Sequence, residues 1–366
     1  MAKSSITRRT FVGMAAAAGL GGAEPWVDLF DGRSLNGWRP SENKGSWKAV
    51  DGELRGDGPR SHLFYTGPAR GADFRNFELE FEALAGPGAN SGFYFHTAYQ
   101  EKGYPQKGFE IQINNTAGGE GTYRERKKTG SLYGVRNVYK QLARDGEWFK
   151  VQAAVRGKNV QVRLNGALLV DYTEPAPVVI AEGNERERFL DRGTFALQCH
   201  DPGSKVRFRG IRVRPLEDGA DGGTAAPVVD DVFRKVLAYG ARNIPMVDYH
   251  VHLKSGLSLE QALAKSRRDG IQYGLAVNCG KGHAVETDEG ARRFVESMRG
   301  QPVFVAMQAE GREWTGMFSR ATAALFDYVF TDSMTWSDNR GRRMRLWIRS
   351  EEHKSELQSL SHLVCR

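Results

Sequence analysis

Cysteine is scarce: Cys199, Cys279 and Cys365 are the three in 366 residues, and none forms a C-x-x-C pair. A thiolate zinc site and a disulfide scaffold are therefore not indicated. Cys199 and Cys279 lie in apolar alternation and read as small buried hydrophobes. Long hydrophobic runs are also missing, and a permanent membrane span would need about 20 apolar residues. Basic residues exceed acidic ones by 52 to 44, for a formal charge of +8. They are not interleaved with exposed aromatics, so nucleic-acid binding is not indicated. The densest basic runs, "YRERKKTG" (123–130) and "GRRMRLW" (341–347), read as solvated faces.

What is present suits a globular protein of two domains, with 40% hydrophobic and 26% charged residues. The 43 glycines favour strands joined by tight turns. Residues 1–25 stand apart. Arg8 and Arg9, then Phe11 and a short Ala/Gly run, resemble a twin-arginine export signal, which implies a periplasmic or extracellular protein.

Residues 26–216 read as all-β. "NFELEFEAL" (76–84) alternates Phe77, Leu79 and Phe81 with Glu78, Glu80 and Glu82, and "WFKVQAAVRG", "NVQVRLNGALLVDY", "GTFALQCH" and "KVRFRGIRVRPL" repeat that period. Strands with one wet face must stack sheet on sheet, which points to a jelly-roll sandwich. A flexible linker, "EDGADGGTAAP" (217–227), follows. From 228 to 348 the rhythm becomes βα: strands over 245–253, 271–278, 301–311 and 327–332, with helices over 258–270, 287–300 and 319–326. The first of these helices has Ser258 as N-cap and Gly270 as terminator. Four such units are a partial α/β (TIM-like) barrel, because closure needs about eight strands. Residues 349–366 fit no βα unit, and "RSEEHKSELQS" resembles a translated sequencing adapter. They are expected to be a non-native tail, so His353, His362 and Cys365 carry no functional weight.

Three period-two polar rows are the candidate site. Glu110, Gln112 and Asn114 share one face of "FEIQIN"; Asn90, Tyr94 and His96 form a second row, and Gln198 with His200 a third. Such rows could grip several sugar hydroxyls if they converge on one sheet face. Tyr94, Tyr133 and Trp148 are candidate stacking rings, each with core or hairpin packing as its ordinary alternative. The E-x-D-x-x-E array of jelly-roll glycosidases is absent, since positions 112 and 114 are Gln112 and Asn114. That argues against a double-carboxylate mechanism.

"LFDGRSLNGW" (29–38), "GANSGFYFH" (88–96), "GFEIQINN" (108–115), "TGSLYG" (129–134), "EWFKVQAAVRGKNVQVRLNGALLVDY" (147–172) and "LQCHDPGSKVRFRGIRVRPL" (197–216) together resemble the 3-keto-disaccharide hydrolase domain family. The resemblance spans 26–216 and implies a concanavalin-like jelly roll that acts on, or binds, oxidised disaccharides or glycosides. In a 3-keto sugar the ketone acidifies the hydrogen on C2. One base and a donor to the developing enolate then suffice for elimination, with water added later. The expected base is His200 or Glu110, with Gln112, Asn114 or Arg136 as donors; no cofactor is required. The alternative is a non-catalytic carbohydrate-binding module tethering the second domain to its substrate.

In "VDYHVHL", Asp248, His250 and His252 share one face at the end of the first βα strand. Two imidazoles so placed can ligate one metal ion. The stretch resembles the first motif of the polymerase-and-histidinol-phosphatase and amidohydrolase families. That implies a divalent Zn, Mn or Fe ion, with Glu310, His283 and Asp332 as further ligands. About half of such a site is encoded, and a fragment of this kind is expected to be poorly stable alone. An oligosaccharide or glycoside is the expected partner, and the oligomeric state stays open.

Overall fold

The computed structural model describes residues 24–116, 123–181, 188–220, 222–332, 335–337, 340 and 342–345. The twin-arginine segment and the 349–366 tail lie outside these residues, as do positions 341, 346 and 347 of the 341–347 run.

The period-two segments form two packed antiparallel sheets. In chain order the sandwich strands are β1 (Val27–Asp28), β2 (Trp38–Pro40), β3 (Trp47–Val50), β4 (Glu53–Gly56), β5 (Ser61–Tyr65), β6 (Phe77–Ala85), β7 (Ser91–Thr97), β8 (Phe109–Ile113), β9 (Phe149–Arg156), β10 (Asn159–Leu164), β11 (Ala167–Thr173), β12 (Thr194–Cys199) and β13 (Val206–Pro215). The larger sheet runs β11-β10-β9-β6-β13-β4-β3, with β1 beside β13; the smaller runs β2-β5-β12-β7-β8. Their inner faces meet through rings. Phe81 of β6 stacks on Phe93 of β7 at 4.6 Å, and Phe77 meets Phe195 edge-on at 5.1 Å.

The outer face of the larger sheet shows where many arginines are used. Glu78, Glu80 and Glu82 of β6 lie directly opposite Arg214, Arg212 and Arg209 of β13. Each pair forms an ion bridge, that of Arg209 and Glu82 at 2.7 Å. Opposite charges across antiparallel strands stabilise the pairing by a few tenths of a kcal/mol to about 1 kcal/mol each. Trp148 belongs to this outer face, under the Arg209 guanidinium at 4.0 Å, and not to the sugar-facing rows.

The βα segment forms a four-stranded parallel sheet in sequential order, β14 (Val247–Val251), β15 (Gln272–Cys279), β16 (Phe304–Glu310) and β17 (Tyr328–Asp332), followed by a hairpin of β18 (Thr335–Ser337) and β19 (Arg343–Arg345). Its helices are α2 (Leu259–Asp269), α3 (Asp288–Ser297), α4 (Trp314–Met317) and α5 (Arg320–Ala323). Ser258 makes a full capping box with Gln261, and Gly270 closes α2 at φ +72°. The protein is thus a jelly-roll sandwich followed by a partial α/β barrel. Among the described residues no helix is long and apolar enough to cross a membrane.

The sequence reading missed two helices, the one-turn α4 and the longer α1 (Asp231–Ala241), which Asp230 caps. Phe233, Val236, Leu237 and Gly240 line its buried stripe at helical spacing. The stripe is shared: Phe233 and Leu237 join the sandwich core, while Val236 joins the core of the parallel sheet. The first helix after the linker thus packs on both cores. Cys199 and Cys279 are buried, and burial pushes both thiols up to about 12.

Candidate functional site

Strands β12, β7 and β8 are neighbours, and their register brings the polar rows together. Tyr94 pairs with both Ala196 and Glu110, Gly92 with Gln112, and Gln198 with His62 of β5. The result is a cavity of about 200 Å³ lined by Asn90, Tyr94, Glu110, Gln112, Tyr133, Gln198 and His200, with Tyr104, Tyr123 and Glu125. Seven of the residues singled out in the sequence thus converge on one cavity. Its volume lies below the several hundred Å³ of a drug-sized site, so it suits a single sugar ring.

Two buried amides face it. Gln112 donates to Asn90 Oδ1 at 2.9 Å, and Gln198 donates to the Tyr94 hydroxyl at 2.9 Å. Their carbonyl oxygens, Gln112 Oε1 and Gln198 Oε1, have no hydrogen-bond partner among the described residues. Buried acceptors are rarely left so, because each costs about 1–3 kcal/mol.

At the same cavity, His200 presents Nε2 to the Tyr104 hydroxyl at 3.2 Å, and its Nδ1 lies 2.8 Å from Asp201 Oδ2. Ser204 Oγ and the Gly203 amide also donate to Asp201, each at 2.8 Å. Burial alone would raise this carboxyl, but the hydrogen bonds from Ser204, His200 and Gly203 outweigh it and hold Asp201 below the ordinary carboxylate range. An ionised Asp201 keeps the proton on Nδ1 and leaves the Nε2 lone pair for the cavity.

The third wall comes from the 123–133 segment. Tyr123 and Tyr133 donate to Glu125 Oε2 at 2.7 and 3.1 Å. Behind them Lys127, fully buried, donates to Glu125 Oε1 at 3.2 Å and lies 4.3 Å from the Tyr133 ring centre. Burial, then Glu125 and Glu110, push the Tyr133 hydroxyl far above its usual range, so it stays a neutral donor. The run read as a solvated face is therefore a cavity wall. Glu125 and Lys127 of this run are buried because they pair with one another, while Arg124 and Arg126 stay exposed.

Gly92 explains the seat of Glu110. A Cβ at position 92 would stand 2.3 Å from Glu110 Oε1 and 2.8 Å from its Cγ. Gly92→Ala is expected to push Glu110 aside and weaken sugar binding about tenfold or more, read by calorimetry. Unchanged affinity would show that Glu110 takes no part in binding.

Three expected ligand-binding residues lie elsewhere. Asn114 spends its amide on the carbonyls of Glu125 and Lys127, at 2.8 and 2.9 Å, and so shapes the wall from behind. Arg136 is buried between the domains, donating to the Val135 carbonyl at 2.9 Å and the Arg268 carbonyl at 3.2 Å. Burial lowers its guanidinium to about 10. It also lines a larger cleft of about 680 Å³ with Asp171, Lys265, Arg267 and Arg268. In that cleft Lys265 and Arg268 already pair with Asp269, and the cleft holds no acid–base pair like that of His200 and Asp201.

His96 leaves the polar row because its backbone turns to φ +55° beside a register shift between β12 and β7. Its Nε2 lies 2.8 Å from the Arg75 carbonyl, and the Asp191 amide donates to Nδ1 at 3.3 Å, a pattern that fits the neutral ring. Burial lowers it from 6.5 to about 4. The unfolded chain takes up this proton near pH 6.5 and the folded one only near pH 4. The neutral ring's contribution is thus complete above pH 6.5 and is lost as pH falls to 4, by about 3 kcal/mol. His96→Gln should flatten the dependence of the urea midpoint on pH across that window; an unchanged slope would contradict this.

In the parallel sheet, His250 Nε2 and His252 Nε2 stand 3.0 Å apart, and His250 Nε2 is 2.9 Å from Gln308 Oε1. Gln308 and Asn278 donate to Glu310 Oε1, and His283 Nε2 lies 4.0 Å from Glu310 Oε2. Asp248 Oδ1 accepts the His250 amide at 3.0 Å, and Asp332 ends β17, its side chain outside the described residues. The strand carrying the two histidines is not buried on both faces, as its sequence suggested: it is the sheet edge, with Tyr249 and His250 exposed. Burial, then Lys254 and His250, hold His252 below its ordinary range and so neutral. The structure thus brings His250, His252 and Gln308 together, with Glu310 bonded to Gln308. Among the described residues no three His, Cys, Asp or Glu side chains group as a metal site.

Sequence reasoning did not find Asp201, Tyr104, Tyr123 and Glu125. Asp201 had a signal in its place directly after His200, whereas Glu125 was hidden inside a basic run.

Residues 25–214 match the 3-keto-alpha-glucoside-1,2-lyase-like domain family, and the chain belongs to that family. The sandwich is accordingly a carbohydrate-active or carbohydrate-binding domain. The chain is similar to a candidate glycosyl hydrolase from Parabacteroides distasonis ATCC 8503, with 22% identity over 52% of this chain and 94% of the other and a TM-score of 0.44. It is also similar to the carbohydrate binding module CBM66 from Bacillus subtilis, with 12% identity over 49% of this chain and 95% of the other and a TM-score of 0.33. No curated protein matches it.

Proposed function

We propose that the cavity binds one 3-keto-glucosyl ring and eliminates the group at C1. The observation that carries this reading is that His200, paired with Asp201, and two unpartnered amide oxygens line one cavity the size of a single ring. Gln112 Oε1 and Gln198 Oε1 are acceptors, and sugar hydroxyls are the donors that complete them. His200 Nε2 takes the proton from C2. The C–H electron pair moves into an enolate whose oxygen, on C3, is met by an N–H donor such as the second amide proton of Gln112. The enolate then collapses to a C1=C2 double bond as the C1–O bond breaks. The leaving oxygen takes a proton from an acid, for which Glu110 is the carboxyl at hand. Water can add to the resulting enone afterwards.

A second reading, sugar binding without turnover, is favoured by the same orphan acceptors, which need a ligand but no reaction. Incubating the full-length protein with a 3-keto-glucoside and with its unoxidised parent separates the two. The lyase reading expects aglycone and enone from the first only. Tight binding of the 3-keto-glucoside without aglycone release leaves the binding module, and equal cleavage of both substrates rejects elimination.

A further inference from the structure

One side chain of the second domain reaches the wall of the sugar cavity. Asn243 follows α1 and stands at φ +59°, a left-handed conformation that asparagine adopts more readily than most residues. Its amide makes three contacts to one short stretch of the sandwich. Nδ2 donates to the Arg124 carbonyl at 2.7 Å, while Oδ1 accepts the Arg126 amide at 3.0 Å and Lys127 Nζ at 3.4 Å. Glu125, between these anchor points, is the residue on which Tyr123 and Tyr133 converge. The path from Asn243 to the cavity is thus one residue long.

The same sandwich segment is held again further on. Gln272 Oε1 accepts the amides of Tyr139 and Lys140, at 2.7 and 2.9 Å, but these residues do not line the cavity. Gly240 of α1 allows the close approach, since a Cβ there would lie 2.5 Å from Asn137 Nδ2. The two tethers differ in what they hold: Asn243 grips the wall, and Gln272 grips only the docking loop.

We propose that Asn243 is a positioning residue of the sugar site, through which the second domain fixes Glu125 and its tyrosines in the cavity wall. The proposal rests on the reading of the cavity as the sugar site. It gives the βα domain a role as a brace, whatever chemistry that domain has of its own.

The test uses full-length Asn243→Ala, Asn243→Asp and Gln272→Ala with two readouts. Amide hydrogen exchange should be about tenfold faster at Arg126 in Asn243→Ala, and affinity for a 3-keto-glucoside should fall about tenfold. Asn243→Asp keeps the acceptor for Arg126 and Lys127 and should recover most of both. Gln272→Ala should lower the melting temperature while leaving exchange at Arg126 and sugar affinity near wild type. Unchanged exchange at Arg126 in Asn243→Ala overturns the clamp. So does faster exchange with wild-type affinity, or an equal loss of affinity in Gln272→Ala, which would make the effect one of general docking. If the wild type takes no sugar, the site reading fails by itself, and exchange at Arg126 still decides whether the clamp exists.

Discussion

His200→Asn lowers kcat/KM toward a 3-keto-glucoside by about 10²–10⁴-fold, the usual share of a positioned general base, and leaves sugar affinity within a few fold of wild type. Asparagine is chosen because its amide can still donate to Asp201 from near the position of Nδ1, so the loop around Ser204 and Gly203 keeps its anchor. What it lacks is a lone pair where Nε2 stands beside Tyr104. Asp201→Asn should act more mildly and through the tautomer, shifting the pH profile of turnover where His200→Asn abolishes it. Glu110→Gln separates the remaining roles. A larger loss than in His200→Asn would make Glu110 the base, whereas a loss that grows with the basicity of the leaving group marks it as the acid. Equal activity of His200→Asn and wild type would remove His200 from the chemistry.

Phe233→Ala destabilises the protein by about 3–5 kcal/mol, the range for truncating a buried phenylalanine. The effect should exceed local cavity formation because of where the ring sits. Phe233 packs in the sandwich core, its ring centre 5.1 Å from the Arg136 guanidinium, while Val236 on the same helix packs with the parallel sheet. Loosening α1 therefore leaves a buried cation less well enclosed and detaches both cores from a shared helix. Urea unfolding followed by sandwich tryptophans and by far-ultraviolet dichroism should show both signals moving to lower denaturant together. A cost below 1 kcal/mol, or movement of one signal alone, would show that α1 belongs to a single domain. The same geometry explains why residues 228–348 on their own are expected to aggregate: excision exposes Phe233 and Leu237.

Much of this was legible in the sequence, for identifiable physical reasons. Alternation exposed the sandwich because β6 and β9 each have one wet and one dry face, and helical caps exposed α2 because Ser258 and Gly270 are local signals. The polar rows converged because β12, β7 and β8 are neighbours, a fact of topology that no single strand reveals. His96 failed as a row member because a bulge reverses the side-chain alternation that period-two reading assumes. The 123–130 run misled for a different reason. Charge predicts exposure only when it has no internal partner, and Glu125 and Lys127 have each other. Asn243 was invisible because its role lies across a domain boundary.

The most direct measurement is to follow a 3-keto-glucoside by NMR in D₂O with the full-length protein, beside an enzyme-free control. The account predicts aglycone release with the C1=C2 enone, or a 3-keto-glucose that carries deuterium at C2 after water has added. Free 3-keto-glucose that keeps its C2 hydrogen would mean direct hydrolysis and would contradict proton removal by His200.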